Sequence, residues 1–324
     1  MLTVNFEVIF YLTKGMEKII ITSYLIYQKE KTMKNKKWVS VLLWVLAFVL
    51  TLCIAVYQRM TGPTYPVKAQ ESINGKTIEY QLLRSHTADE PMPVTIKADE
   101  NVTAWLNHKR YKTDDKWKEV EMIRDGEYLK ADIPGEPPAG KVEYTVRVHV
   151  GDKDKLINEG KSVVARFKGA VPTVFLIIHV VLMFVGILFA VRTALETLRK
   201  EGNYFWMVNW TLGILFVGGM ILGPIVQKYA FGDLWTGFPF GYDLTDNKVL
   251  IAVIFWVAAF FLKKKSKWWV LAAAVIMLII YLIPHSVLGS ELDYDSGKMK
   301  NKYSMMESAG HNNNQRVSTI GAWF

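Results

Sequence analysis

Residues 171–191 read VPTVFLIIHVVLMFVGILFAV, an apolar run that contains no Lys, Arg, Asp or Glu and only one ionisable side chain, His179. As a helix rising about 1.5 Å per residue, it is long enough to cross a hydrocarbon layer of about 30 Å. That run sets the class of the fold. Further apolar runs occupy residues 38–57, 204–226, 249–262 and 268–283, with charged connections between them. The expected architecture is a membrane α-helical bundle of about five transmembrane helices, with 171–283 as a four-helix unit. The run 249–262 is short for a bilayer, so its helix is expected to begin near Asp243 or Thr245, both suited to N-capping, giving a span of 244–262.

Composition agrees. Of 324 residues, 51% are hydrophobic, and 39 Lys and Arg against 30 Asp and Glu give a net charge of +9. The basic residues border the apolar runs, which ties them to membrane orientation and leaves no reason to invoke nucleic acid. Residues 34–37, 192–200 and 263–267 carry ten Lys and Arg on one side. Four, Arg59, Lys168, Lys228 and Lys248, fall on the other. Positive-inside logic places the N-terminus in the cytoplasm and residues 65–168 outside. The basic cluster before the first run makes Met33 a natural start and leaves 1–32 as an N-terminal extension without assigned function. Cys53, the single cysteine, excludes an internal disulfide.

Between the first two spans, residues 65–168 alternate apolar and polar side chains in short runs such as PVTIKA (93–98) and KVEYTVRVHV (141–150). Turn signals at Asn74-Gly75, Asp125-Gly126, Pro134-Gly135 and Gly151-Asp152 separate about seven such runs. This is the pattern of an all-β, immunoglobulin-like sandwich domain. Four histidines, His86, His108, His149 and His311, lack metal spacing and read as surface residues. The tail, 286–324, rich in Ser, Asn, Lys and Met, reads as external and mostly disordered.

Chemistry concentrates in the aromatic, glycine-rich external loop 231–248, FGDLWTGFPFGYDLTDNK. Two accounts of it stand side by side. In one, Asp243 and Asp246 cap the following helix while Trp235, Phe238, Phe240 and Tyr242 form an interfacial belt. In the other, Trp235, Asp243 and Asp246 join His179, and His285 at the external end of the last span, in a cofactor or ion site for haem, quinone or a transition metal. Gly219 and Gly223 form a small-residue face for bundle packing or for a second copy of the chain. No G-x-S-x-G, H-E-x-x-H, phosphate-loop or dinucleotide signature is present, so the expectation is a non-enzymatic protein whose β-domain recognises or scaffolds an envelope component.

The stretches VVARFKGAVPTVFLIIHVVLMF, GPIVQKYAFGDLWTGFPFGYDLTDNK and IPHSVLGSELDY resemble an uncharacterised group of bacterial inner-membrane proteins with a periplasmic immunoglobulin or fibronectin-III-like domain. That resemblance implies a bacterial inner membrane, with β-domain and C-terminus periplasmic. The loop and the two histidines also loosely resemble the haem-handling proteins of cytochrome c assembly, with Asp243 in the place of a motif aspartate. This loop has one Trp where that family has several. His179 also lies deeper than His285, which disfavours haem held by the pair.

Overall fold

The computed structural model describes residues 37–200, 202–284, 291–294 and 296–299, together with Thr22. Helix α1, Lys37–Thr61, runs from one compact unit, Met1–Leu50, into a second, Thr51–Phe324. The β-domain, the remaining helices and the site below all belong to the second unit.

The β-domain follows from side-chain alternation. In β9 (Lys141–Val150) Val142, Tyr144, Val146, Val148 and Val150 are buried while the residues between them are half-exposed. A strand with this period must lay one face on an apolar layer. Burying each such side chain contributes about 1.5–3 kcal/mol. The facing layer comes from β2 (Lys76–Leu82), β4 (Met92–Ala98) and β8 (Tyr128–Ile133), whose Ile78, Leu82, Ile96 and Ile133 enter the same core. One sheet has the order β1-β2-β4-β8-β7 and the other β3-β11-β9-β5-β6, with β10 (Lys153–Leu156) pairing the far half of β9. The flanking strands are β1 (Val67–Ile73), β3 (Ser85–Thr87), β5 (Val102–Arg110), β6 (Lys118–Glu121), β7 (Ile123–Asp125) and β11 (Val163–Lys168). All pairings are antiparallel except β3 with β11, which is parallel. Asn74 and Gly75 take the positive φ values, 51° and 78°, that their hairpin turn demands.

Among the described residues four helices are long and apolar enough to cross a membrane: α1, α2 (Thr173–Thr197), α3 (Phe205–Phe231) and α4 (Leu244–Leu262). The fifth, α5 (Lys267–Leu282), has 16 residues, about 24 Å. It nonetheless reaches the level of the α4 N-terminus, because Lys248 Nζ donates to the carbonyls of Ile283 and Pro284 at 2.9 and 3.2 Å. The α4 start is as expected: Asp243 is the N-cap, its Oδ1 accepting from Thr245 N at 2.7 Å.

Helix α3 changes winding over Phe216–Leu222, where it is π-helical. Pro224 explains this: it has no N–H to offer, and its ring clashes with the carbonyl four residues earlier, so the preceding turn widens. Gly218 and Gly219 sit in that turn, and a Cβ on Gly218 would lie 2.9 Å from Leu182 Cβ. On Gly219 it would lie 2.6 Å from Val249 Cγ1. This small-residue face is therefore used for packing within the chain, and Gly219 is buried there.

One further expectation is corrected. His108 is buried, on the core face of β5, and burial lowers its pKa from the ordinary value. Within the tail, Leu292–Asp293 and Lys298–Met299 pair as β12 and β13. This hairpin docks on the β-domain: Tyr294 Oη accepts from Lys141 N and donates to Lys141 O, both at 2.9 Å, with Arg110 4.8 Å above its ring. Glu291 takes charged hydrogen bonds from Lys141 at 2.7 Å and Lys112 at 3.2 Å. Apolar composition is low here, and the docking comes from these polar contacts. The other parts of 286–324, and 1–32 apart from Thr22, lie outside the described residues.

Candidate functional site

The loop after α3 is held by one carboxylate. Gly232, at φ 100°, ends α3, and Lys228 Nζ donates to its carbonyl. The chain then turns at Thr236 and Gly237 beneath the first turn of α4. Asp246 Oδ2 accepts from Thr236 N (2.7 Å), Gly237 N (3.0 Å) and Thr236 Oγ1 (3.2 Å). Gln227 Nε2 donates to Thr236 Oγ1 at 2.6 Å, and Asn247 Oδ1 accepts from Phe238 N at 2.7 Å. Asp246 is thus a loop anchor; the capping role expected for both aspartates belongs to Asp243 alone. Gly237 is required by closeness, since a Cβ there would stand 2.6 Å from Asp246 Cβ. Phe238, Phe240 and Tyr242 point outward and are exposed, as a belt requires.

His179 lies on α2 opposite the widened turn of α3. Its Nδ1 is 2.9 Å from the Gly218 carbonyl, which also accepts from Gly223 N. A carbonyl only accepts, so Nδ1 carries the proton, and in the neutral ring Nε2 keeps a lone pair. The sequence singles out a histidine in an apolar run; the missing side chain at Gly218 lets α2 lie close to that turn at Leu182, one turn from His179.

A cavity of about 250 Å³ lies between these parts. His179, Trp235, Asp243 and Asp246, expected from the sequence, all line it. His285 lies outside the described residues. The sequence reading missed Arg166, Gln58, Gln227 and Tyr281, which also line it and come from β11, α1, α3 and α5. Their polarity was visible, but only the tertiary fold brings them to one place. Arg166 is buried, with its guanidinium 5.1 Å above the Phe231 ring. Burial lowers its pKa from the ordinary value, and nearby Asp243 and Glu291 oppose that shift. The linker after β11 is clamped at the same level, with Gly169 N donating to Ala230 O at 2.9 Å. Phe175 stacks on Tyr229 beside it, with centroids 6.1 Å apart.

The charged groups of the cavity are already engaged. Asp246 takes three donors, Lys248 holds the end of α5, and Asp243 caps α4. One buried polar atom of the lining differs: the Tyr281 hydroxyl has no hydrogen-bond partner among the described residues. The walls are apolar, including Met183, Phe184, Ile187 and Val249. Val180 and Phe184 both line the cavity and are 40% and 41% exposed on the outer flank of α2, so the cavity reaches a surface that a bilayer would cover. Among the described residues no three His, Cys, Asp or Glu are grouped to hold a metal ion.

No family model matches the chain, and no curated protein matches it by sequence. Among solved structures, that titled "Crystal structure of Br derivative BhCBM56" is 6% identical with a TM-score of 0.20, covering 32% of this chain and 92% of that one. The structure of Astrotactin-2, described as a conserved vertebrate-specific and perforin-like membrane protein involved in neuronal development, is 10% identical with a TM-score of 0.19. It covers 69% of this chain, which spans 37% of that protein. TM-scores this low assign neither fold nor function.

Proposed function

We propose that this chain is a membrane protein that binds a small lipid-borne ligand between α2, α3 and α4, with its β-domain closing the outer end of the site through Arg166. The observation that carries this reading is the 250 Å³ cavity, walled by apolar side chains and reaching the lipid-facing flank at Val180 and Phe184. A cavity of about 150 Å³ takes one benzene ring, so 250 Å³ is too little for the four pyrrole rings of haem. Among the described residues the lining offers one histidine and no group of three metal-ligating side chains, a poor set for haem or a metal ion.

The proposal includes five crossings, an immunoglobulin-like β-domain outside the cytoplasm and a bacterial inner membrane. Support for the fifth crossing comes from parity. The β-domain precedes α2, and Glu291 and Tyr294, beyond α5, touch it, so an even number of crossings separates them. If α2, α3 and α4 cross, α5 crosses too. The parallel β3–β11 pair and the β6-β5-β9-β11 order support the immunoglobulin type. A second reading, partner recognition by the β-domain, is favoured by Trp117 and Ile123, 46% and 76% exposed beside the edge strands β6 and β7.

The test is mass spectrometry of an organic extract of the purified protein. A lipid-soluble molecule near one per chain, lost in Val180→Trp, is the expected result. An extract holding only bulk phospholipid in both proteins would overturn the ligand reading.

A further inference from the structure

We infer that the ligand is an uncharged ring of the hydroquinone class, bound through a hydroxyl; this rests on the ligand-binding reading above. The cavity's ions are consumed by the fold. Asp246 holds Thr236 and Gly237, Lys248 holds Ile283 and Pro284, and Asp243 holds Thr245 and faces Arg166. A charged ligand would have to break one of these sets, leaving a buried ion unpaired. Two neutral groups of the lining stand ready to address a ligand: the Tyr281 hydroxyl, buried with no hydrogen-bond partner among the described residues, and His179 Nε2, which carries a lone pair because Nδ1–H is given to Gly218 O.

Those two groups specify complementary chemistry. Nε2 only accepts, so the ligand must donate an O–H or N–H. The Tyr281 hydroxyl can donate or accept, and a ligand that accepts from it while donating to Nε2 satisfies both. A hydroquinone does both, through a hydroxyl at each end of an apolar ring. The corresponding quinone can satisfy Tyr281 but leaves Nε2 unmatched, and a buried acceptor left unmatched weakens binding. The rest of the cavity fits a ring: Phe184, Phe231 and Trp235 supply aromatic walls. The volume, about 250 Å³, suits one substituted six-membered ring, with any chain leaving past Val180 and Phe184 toward lipid.

The experiment titrates full-length protein in nanodiscs with trimethylhydroquinone under reducing conditions, with trimethylbenzoquinone, and with the dimethyl ether of the hydroquinone. Quenching of tryptophan fluorescence and calorimetry both read binding. The hydroquinone is expected to bind tightest, the quinone several-fold weaker, and the ether at least tenfold weaker than the hydroquinone. Tyr281→Phe, which keeps the ring and removes only the orphan hydroxyl, is expected to stay folded and to weaken hydroquinone and quinone alike by about tenfold. His179→Leu is expected to erase the preference for hydroquinone over quinone. Equal affinity for hydroquinone and ether, or a preference that survives His179→Leu, would overturn the assignment of ligand class. If none of the ring probes binds but the organic extract yields another stoichiometric molecule, the class falls and the ligand-binding reading stands. If both experiments are blank, both fall.

Discussion

Replacing Asp246 tests the loop anchor most directly. All three donors converge on one oxygen, Oδ2: Thr236 N, Gly237 N and Thr236 Oγ1, at 2.7, 3.0 and 3.2 Å. Asp246→Asn can place its amide oxygen there and keep all three bonds, losing only the gain that charge gives them. Its cost is expected to be about 1 kcal/mol. Asp246→Ala removes the acceptor and leaves three donors buried; at about 1 kcal/mol each the loss is about 3 kcal/mol. The anchored loop displays Phe240 and Tyr242, natural chymotrypsin sites. When opening is fast relative to cleavage, the cutting rate follows the population of the open loop. Asp246→Ala should therefore be cut in this loop about a hundredfold faster than wild type, and Asp246→Asn about fivefold faster, at about 1.4 kcal/mol per decade. Equal cutting rates for all three proteins would show that the loop is held by something else, and the carboxylate's role as anchor would be refuted.

Gly169→Ala puts a Cβ 2.3 Å from the Tyr229 carbonyl and disturbs the Gly169 N–Ala230 O bond; a loss of about 2–4 kcal/mol is expected in thermal unfolding. Tyr294→Phe removes both hydrogen bonds to the Lys141 backbone, and exchange at the Lys141 amide should accelerate about tenfold by mass spectrometry. Lys168 provides a pH prediction. Burial, with Arg166 and Arg59 nearby, lowers its pKa to about 8 from an ordinary 10.5. Below pH 8 both folded and unfolded chains hold the proton and the penalty is constant; between 8 and 10.5 the unfolded chain binds more protons, so stability rises with pH. Lys168→Met should thus be more stable than wild type at pH 7 by about 1–2 kcal/mol after allowing for solvent access, with the gap closing between pH 8 and 10.5. A Lys168→Met protein less stable than wild type throughout would refute the pKa argument.

The sequence signals that succeeded are local. Alternation along 141–150 and the Asn74-Gly75 pair act within a few residues, and so does Asp243 as a cap; each is decided by backbone sterics or by the pleat. The strands that escaped reading lack a one-sided core face. In β10 every residue of KDKL is exposed, and β3 has three half-buried residues, its pairing set by β11 beyond 80 positions away. The π-turn in α3 had a visible cause in Pro224, yet what it accomplishes, delivering the Gly218 carbonyl to His179, depends on α2 lying alongside. Tyr281 lies within the apolar run 268–283 and drew no reading from the sequence; only packing shows its hydroxyl buried within the bundle.

The charges around the cavity are the least intuitive part of the site, because ionisable residues at such depth are expected to serve a ligand. Here Asp243, Asp246 and Lys248 each have a structural duty traceable to a chain end. A helix that starts or stops inside a low-dielectric layer leaves backbone groups without partners, and each costs about 1–3 kcal/mol if left so. Asp243 supplies the acceptor at the start of α4, and Lys248 supplies a donor past the end of α5. Asp246 does the same for the loop that must turn back between α3 and α4. α5, with 16 residues, ends near this level, which is why its last carbonyls need a cation instead of water. Once the carboxylates and the ammonium are assigned to these ends, the one further ion named in the lining is Arg166, balanced by Asp243 and Glu291. Selectivity at this site then turns on hydrogen-bond direction at Tyr281 and His179.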